Sequence, residues 1–70
     1  MTEEIIPRPE WQQRVLKEME ELEDKVLKLH KYVESQAFQS LHVVDKSLLL
    51  EQLQVMRMYR GILISRTQRF

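Results

Sequence analysis

Apolar residues recur between residues 15 and 33 at alternating steps of four and three positions. The positions are Val15, Met19, Leu22, Val26, Leu29 and Val33. This is the heptad spacing of a helix that packs along another helix. Pro9 suits the first turn of such a helix, because its missing N–H has no partner to lose there. The pattern therefore predicts a helix over residues 9–36.

A second helix is predicted over residues 44–68, after a short connection that contains neither Gly nor Pro. Within that connection Phe38 and Leu41 stand three positions apart, where they can close one end of a helix pair. Asp45 suits either the N-cap or the first turn of the second helix. Because the connection is short, the two helices must lie antiparallel. We therefore predict an all-α chain, a long antiparallel helical hairpin preceded by an extended arm over residues 1–8.

The second helix carries more apolar surface than one partner helix can cover. One stripe comprises Leu49, Leu53, Met56 and Leu63, and a second stripe comprises Leu48, Val55 and Ile62. A single partner helix covers an arc of roughly 100°, and the two stripes together exceed it. A hairpin this small also has no disulfide to stabilise it. We therefore expect self-association into a homo-oligomeric helical bundle. Gly61 either allows another backbone to approach the helix closely or is tolerated because it lies near the helix end.

Polar and aromatic residues form two further columns at seven-residue spacing. On the first helix they are Trp11, Glu18, Lys25 and Tyr32, and on the second helix they are Gln52, Tyr59 and Arg66. An aromatic ring and a lysine on one helix edge can stack a nucleobase and neutralise a phosphate. Such side chains can equally cover apolar surface or set the register of a subunit interface. The spacing alone leaves both interpretations open.

Composition limits the chemistry that the chain can perform. With 70 residues it forms at most one small domain, and with no cysteine it has neither disulfides nor thiolate ligands. His30 and His42 have no obvious third ligand, so we expect exposed or capping histidines rather than metal ligands. No serine has a neighbouring His–carboxylate pair, which argues against a hydrolytic triad. We therefore expect no enzyme activity, no metal and no cofactor.

Charge is balanced, with 11 basic and 11 acidic side chains, whereas proteins that bind duplex DNA are usually basic. DNA binding is therefore not expected, although a local site for a small anion is compatible with the charge. Four basic residues are expected to gather towards the open end of the hairpin: Arg8, Arg14, Lys25 and Arg66. The longest apolar run is far too short to span a membrane, and the acidic start does not resemble a signal peptide. We expect a cytosolic protein.

The order of these motifs resembles that of a family of small phage proteins. The matching segments are "WQQRVLKEMEELEDKVLKL", "YVESQAFQSL" and "LLLEQLQVMRMYRGILISR". They share an aromatic-Q-x-R-V start, an F-x-x-L corner and a Y-x-x-x-L-x-x-R end, and the resemblance covers residues 9–66. The family is that of the phage anti-CBASS sponge proteins. Its members are helical hexamers that sequester cyclic di- and trinucleotide signals of bacterial immunity without cleaving them.

This resemblance implies a function and a set of site residues. Lys25 resembles the family's phosphate-contacting lysine, Arg66 resembles its arginine near the end of the second helix, and Trp11 resembles its N-terminal aromatic residue. Arg14 projects near the end of the second helix and Tyr59 shares the column of Arg66, so both are added to the predicted ligand site. The chain is then expected to bind cyclic oligonucleotides in the host cytoplasm, with several copies in a hexamer lining each pocket.

Two other functions are compatible with the same sequence. A structural or adaptor oligomer would use the polar columns only to set register. A small regulator would bind a host protein through the exposed part of its wide apolar arc.

Overall fold

The computed structural model describes residues 8–70, and the regular structure within that range is entirely helical. Helix α1 spans Glu10–Val33, helix α2 spans Gln36–Gln39 and helix α3 spans Val43–Thr67. The prediction of an all-α chain is thus confirmed. The predicted extended arm lies outside the described residues except for Arg8. None of the helices in this range is long and apolar enough to cross a membrane.

Helix α1 begins at Glu10, directly after Pro9, and ends at Val33, short of the predicted end. The cause of this early end is the Ser35 side chain, which accepts a hydrogen bond from the backbone N–H of Phe38 at 3.2 Å. A serine in this position caps the N-terminus of a new helix. The predicted helix therefore runs three residues too far, because serine is compatible with a helix interior as well as with a cap.

The corner between the two long helices is a packed turn. Phe38 is buried in it and meets the Tyr32 ring edge to face, with ring centroids 6.2 Å apart. His42 then caps α3, because its Nδ1 accepts a hydrogen bond from the backbone N–H of Val44 at 3.1 Å. Asp45 lies in the first turn of α3, where its charge suits the positive end of the helix dipole. The prediction of a capping role is thus confirmed for His42.

A thin apolar core lies between α1 and α3. Its buried members are Val15, Leu22, Val26, Leu53 and Leu63. The three on α1 belong to its predicted heptad stripe, and the two on α3 belong to the first of its two predicted stripes. Within residues 8–70 no polar or charged side chain is buried. The packing of the hairpin therefore depends on apolar burial along a single seam.

The second apolar stripe of α3 is not covered by any part of the chain that the structure describes. Leu48, Val55 and Ile62 are 58%, 58% and 57% exposed, whereas the neighbouring Leu63 is 0% exposed. A Cβ atom built on Gly61 would meet nothing within 4 Å. The surplus apolar surface predicted from the sequence is therefore present. The oligomer inferred from it stays a prediction.

Polar contacts across the hairpin agree with antiparallel packing. The guanidinium of Arg60 lies 3.3 Å from Glu23 Oε1, and that of Arg57 lies 2.8 Å from His30 Nδ1. The lower-numbered residue of α3 thus pairs with the higher-numbered residue of α1. His30 Nε2 also lies 3.1 Å from Glu34 Oε1. Since ion pairs and hydrogen bonds at the protein surface each contribute little free energy, these contacts mainly support the register set by the core.

Candidate ligand-binding site

The two polar columns predicted from the sequence meet where α1 and α3 face each other. The Tyr59 hydroxyl, in the column on α3, donates a hydrogen bond to Glu18 Oε1, in the column on α1. Seven residues correspond to about 10.5 Å of helix, and the antiparallel columns advance by this step in opposite directions. Trp11, one step before Glu18, therefore lies near the level of Arg66, one step after Tyr59. The columns form two sides of one polar edge.

Tyr59 is held in its neutral form by its surroundings. The hydrogen bond to Glu18 raises the pKa of Tyr59, and partial burial and the charge of Glu18 act in the same direction. The charge of Arg66 acts in the opposite direction, so this guanidinium lies within electrostatic range of the phenol. The Arg66 guanidinium therefore acts on a phenol that stays neutral. Such a guanidinium presents a planar fork of N–H donors that suits phosphate.

Arg66 also lines an open groove of about 610 Å³ on α3, which we call the Arg66 groove. Its lining residues are Met58, Gly61, Ile62, Ser65, Arg66 and Arg69. Apolar side chains supply much of this surface, and two arginines supply cationic donors. Apolar surface with a few polar groups beside it is typical of sites for small molecules. The arrangement suits a ligand that carries both a planar base and an anionic group.

A second groove, of about 360 Å³, has the opposite electrostatic character. Its lining residues are Met19, Glu20, Glu23, Asp24 and Ile64. A phosphate would be repelled by three carboxylates there, even though Glu23 is paired with Arg60. The Arg66 groove is therefore the candidate site for an anion. Among residues 8–70, no group of three or more His, Cys, Asp or Glu side chains could hold a metal ion.

All five residues of the predicted ligand site are exposed: Trp11, Arg14, Lys25, Tyr59 and Arg66. The structure brings Tyr59 and Arg66 within electrostatic range of each other, as described above. Arg14 instead interacts with its own helix, since its Nη1 lies 3.7 Å from Glu10 Oε1. That carboxylate partly neutralises the charge that Arg14 was expected to offer a ligand.

Lys25 lies far from Trp11 within one chain. The two residues stand 14 positions apart on α1, a separation of about 21 Å at the standard helical rise. By the same register, Lys25 lies near the level of Gln52, two steps of the column away from Arg66. The predicted gathering of Lys25 with Arg66 therefore does not occur within a single hairpin. A ligand that contacts Lys25 together with Trp11 must take them from different copies of the chain.

Sequence reasoning missed two residues of this region. Glu18 belongs to a recognised column, and its place opposite Tyr59 follows from aligning the two columns in opposite directions. Phe70 lies against Trp11, with ring centroids 5.2 Å apart and an interplanar angle of 75°. No sequence signal placed Phe70 there, because helical periodicity does not apply beyond the end of α3.

Comparison with known protein families matches residues 9–69 to the family described as Sequestin. The matched range contains all three helices and both polar columns. No curated protein and no solved structure matches the chain.

Proposed function

The chain belongs to the Sequestin family, whose name denotes sequestration, and we propose that it captures cyclic di- and trinucleotides without cleaving them. The family match confirms the resemblance to sequestering proteins that the sequence motifs indicated. The ligand class proposed here follows from the resemblance to phage anti-CBASS proteins. In this role the chain would withhold immune signals of the host from their receptors in the host cytoplasm. Stoichiometric capture of this kind requires binding groups but no catalytic group.

The observation that supports this proposal best is the position of Arg66 at the edge of an apolar groove. Its guanidinium can donate two parallel hydrogen bonds to a phosphate. Met58, in the same groove, supplies apolar surface on which the remainder of a nucleotide can rest. Tyr59 lies within electrostatic range of Arg66 and is neutral, so it does not repel an anion. Together these groups match a ligand that alternates phosphates with planar bases.

Trp11 and Lys25 supply the remaining contacts in the proposed site. Trp11 is 48% exposed, which leaves part of the indole open for stacking on a base. Lys25 lies too far from it along α1 for both to hold one ligand from the same chain. We therefore assign them to different copies that meet around the ligand. Arg14, one turn after Trp11, adds positive charge on the same helix.

Assembly is part of the proposal, as a hexamer by the family resemblance. The exposed stripe of Leu48, Val55 and Ile62 supports it, because contact between copies would remove this apolar surface from water. A cyclic dinucleotide is close to two-fold symmetric, and pockets between symmetry-related copies share that symmetry. A pocket on a two-fold axis between copies would therefore suit such a ligand.

Isothermal titration calorimetry with cyclic di-AMP, cyclic di-GMP and cyclic tri-AMP tests the proposal. We expect saturable heat at micromolar protein with at least one of the three compounds. We also expect chromatography to recover that compound unchanged. Absence of heat with all three would contradict capture, and conversion of the nucleotide would contradict a non-enzymatic role.

A structural or adaptor oligomer is the second candidate, and the same exposed stripe of α3 favours it. In that case the polar columns would only align the copies. Light scattering on the Lys25→Ala/Arg66→Ala double variant separates the two functions. In this variant a nucleotide-binding protein keeps its oligomeric mass in light scattering but no longer binds the nucleotide in calorimetry. An adaptor either changes its oligomeric mass or is unaffected in both measurements.

A further inference from the structure

Phe70 supports Trp11 from the side of the hairpin core. The two rings meet edge to face, with centroids 5.2 Å apart and an interplanar angle of 75°. Phe70 is itself half-buried and packs against the apolar core between α1 and α3. Trp11 therefore packs against a ring that is anchored in the core, while about half of its surface, 48%, stays exposed.

A second contact holds Phe70 in this position. The guanidinium carbon of Arg8 lies 5.8 Å from the centroid of the Phe70 ring, within the range of a cation–π interaction. The backbone of Arg8 is in turn fixed to α1, because Gln13 Nε2 donates a hydrogen bond to the Arg8 carbonyl at 2.7 Å. Arg8, Phe70 and Trp11 thus form an aromatic cluster that joins the segment before α1 to the residues after α3.

We propose that Phe70 is a positioning residue, which fixes the plane of the Trp11 indole so that its exposed side is ready to stack on a nucleobase. This inference rests on the proposed function, because it assigns the open side of Trp11 to the base. Phe70 itself touches no ligand. A solvent-exposed indole in the first turn of a helix samples several rotamers, and binding a base would have to restrict them. A contact that restricts the ring beforehand lowers this entropic cost.

Trp11 is the only tryptophan of the chain, so its fluorescence and near-ultraviolet circular dichroism report on this cluster directly. In Phe70→Ala we expect a weaker near-ultraviolet tryptophan band and stronger quenching of the fluorescence by acrylamide. The far-ultraviolet helix signal should stay unchanged. Because binding would then have to restrict this one side chain, we expect roughly 2- to 12-fold weaker binding of whichever cyclic nucleotide the unmodified protein binds.

Two further variants separate the ring from simple apolar bulk. Phe70→Tyr keeps the aromatic ring and should retain both the tryptophan signals and the affinity. Phe70→Leu keeps apolar volume without a ring and should behave like Phe70→Ala. This pair also carries the test if Phe70→Ala fails to fold. Arg8→Ala removes the cation while both rings remain, so it should change the tryptophan signals less than Phe70→Ala does.

Unchanged tryptophan signals in both Phe70→Ala and Phe70→Leu would overturn the inference. Tighter nucleotide binding by Phe70→Ala would also overturn it, because Phe70 would then compete with the base for the indole. The proposed function can fail separately. If the unmodified protein binds none of cyclic di-AMP, cyclic di-GMP and cyclic tri-AMP, nucleotide capture fails. The role in base stacking proposed for the open side of Trp11 then fails as well. The spectra alone would then decide whether Phe70 fixes the indole.

Discussion

Tyr59 on α3 donates a hydrogen bond to Glu18 on α1, across a sequence separation of 41 residues. Each residue belongs to one of the two seven-residue columns, so a single contact aligns both columns along the antiparallel pair. This alignment brings Arg66 near the level of Trp11. The polar edge that results is the part of the hairpin that we assign to ligand capture.

We expect the hydrogen bond to Glu18 to raise the pH at which Tyr59 ionises. The pKa of Tyr59 is raised in the folded state, so the neutral phenol stabilises the fold. This contribution to the free energy of unfolding is fully present below the ordinary tyrosine pKa of about 10. It is lost as the pH rises through the raised pKa of the folded state. In Tyr32→Phe, Tyr59 is the only tyrosine left, and its ultraviolet absorbance follows the titration. Adding Glu18→Gln should lower the midpoint, whereas the exposed control Glu20→Gln should not. An ordinary midpoint in Tyr32→Phe would contradict the contact.

Leu63 and Ile62 are adjacent residues with opposite surroundings, 0% and 57% exposed. Leu63→Ala leaves a cavity in the seam and should lower the free energy of unfolding by about 2–5 kcal/mol. Ile62→Ala is the matched control, and its effect should grow with protein concentration, because it acts through association. Urea unfolding at several protein concentrations checks both. Equal effects for the two variants at every concentration would show that the two stripes are not distinct.

Gly61→Ala should have effects of opposite sign on the hairpin and on its assembly. Within one chain the new methyl group meets nothing within 4 Å, and alanine favours a helix over glycine by about 1 kcal/mol. If copies approach closely at this groove, the same methyl group weakens their contact. We expect higher helix stability in dilute solution together with a smaller mass in light scattering. Ser65→Ala, which alters the same groove without adding bulk, is the control, and an unchanged mass in Gly61→Ala would exclude close packing there.

Arg66 and Lys25 should contribute to ligand affinity without contributing to folding, since both side chains are exposed. Loss of a hydrogen bond to a charged group costs about 1.5–3 kcal/mol, which corresponds to roughly 10- to 150-fold weaker binding for each single alanine variant. Lys17→Ala is the matched control, because Lys17 is an exposed lysine of α1 whose Nζ lies 4.0 Å from Glu21. Calorimetry with the nucleotide that binds the unmodified protein compares all three. Equal losses for Lys17→Ala would indicate a general effect of charge instead of a site.

The core of the hairpin could be predicted because its apolar spacing is regular. Val15, Leu22 and Val26 are buried as their heptad positions indicated, and Leu63 is buried on the first stripe of α3. The end of α1 could not be placed in the same way. The break depends on one hydrogen bond to the Ser35 side chain, and serine is compatible with a helix interior as well as with a cap.

The candidate site was predictable only in part. The column spacing placed Tyr59 and Arg66 on one face, and in the structure they lie within electrostatic range of each other. The distance of Lys25 from Trp11 follows from the same spacing, but its meaning depends on contacts between copies, which periodicity does not describe. The position of Phe70 depends on tertiary packing after α3 ends, where local sequence preferences no longer determine the path of the chain.

The claim on which the proposed site depends is that copies of the chain assemble, because no single hairpin joins Lys25 to Trp11. Sedimentation equilibrium on the pure protein over a range of micromolar concentrations tests it most directly. We expect a defined multimer of the 8.5 kDa chain, a hexamer by the family resemblance. A compact and stable species of 8.5 kDa at every concentration would contradict it.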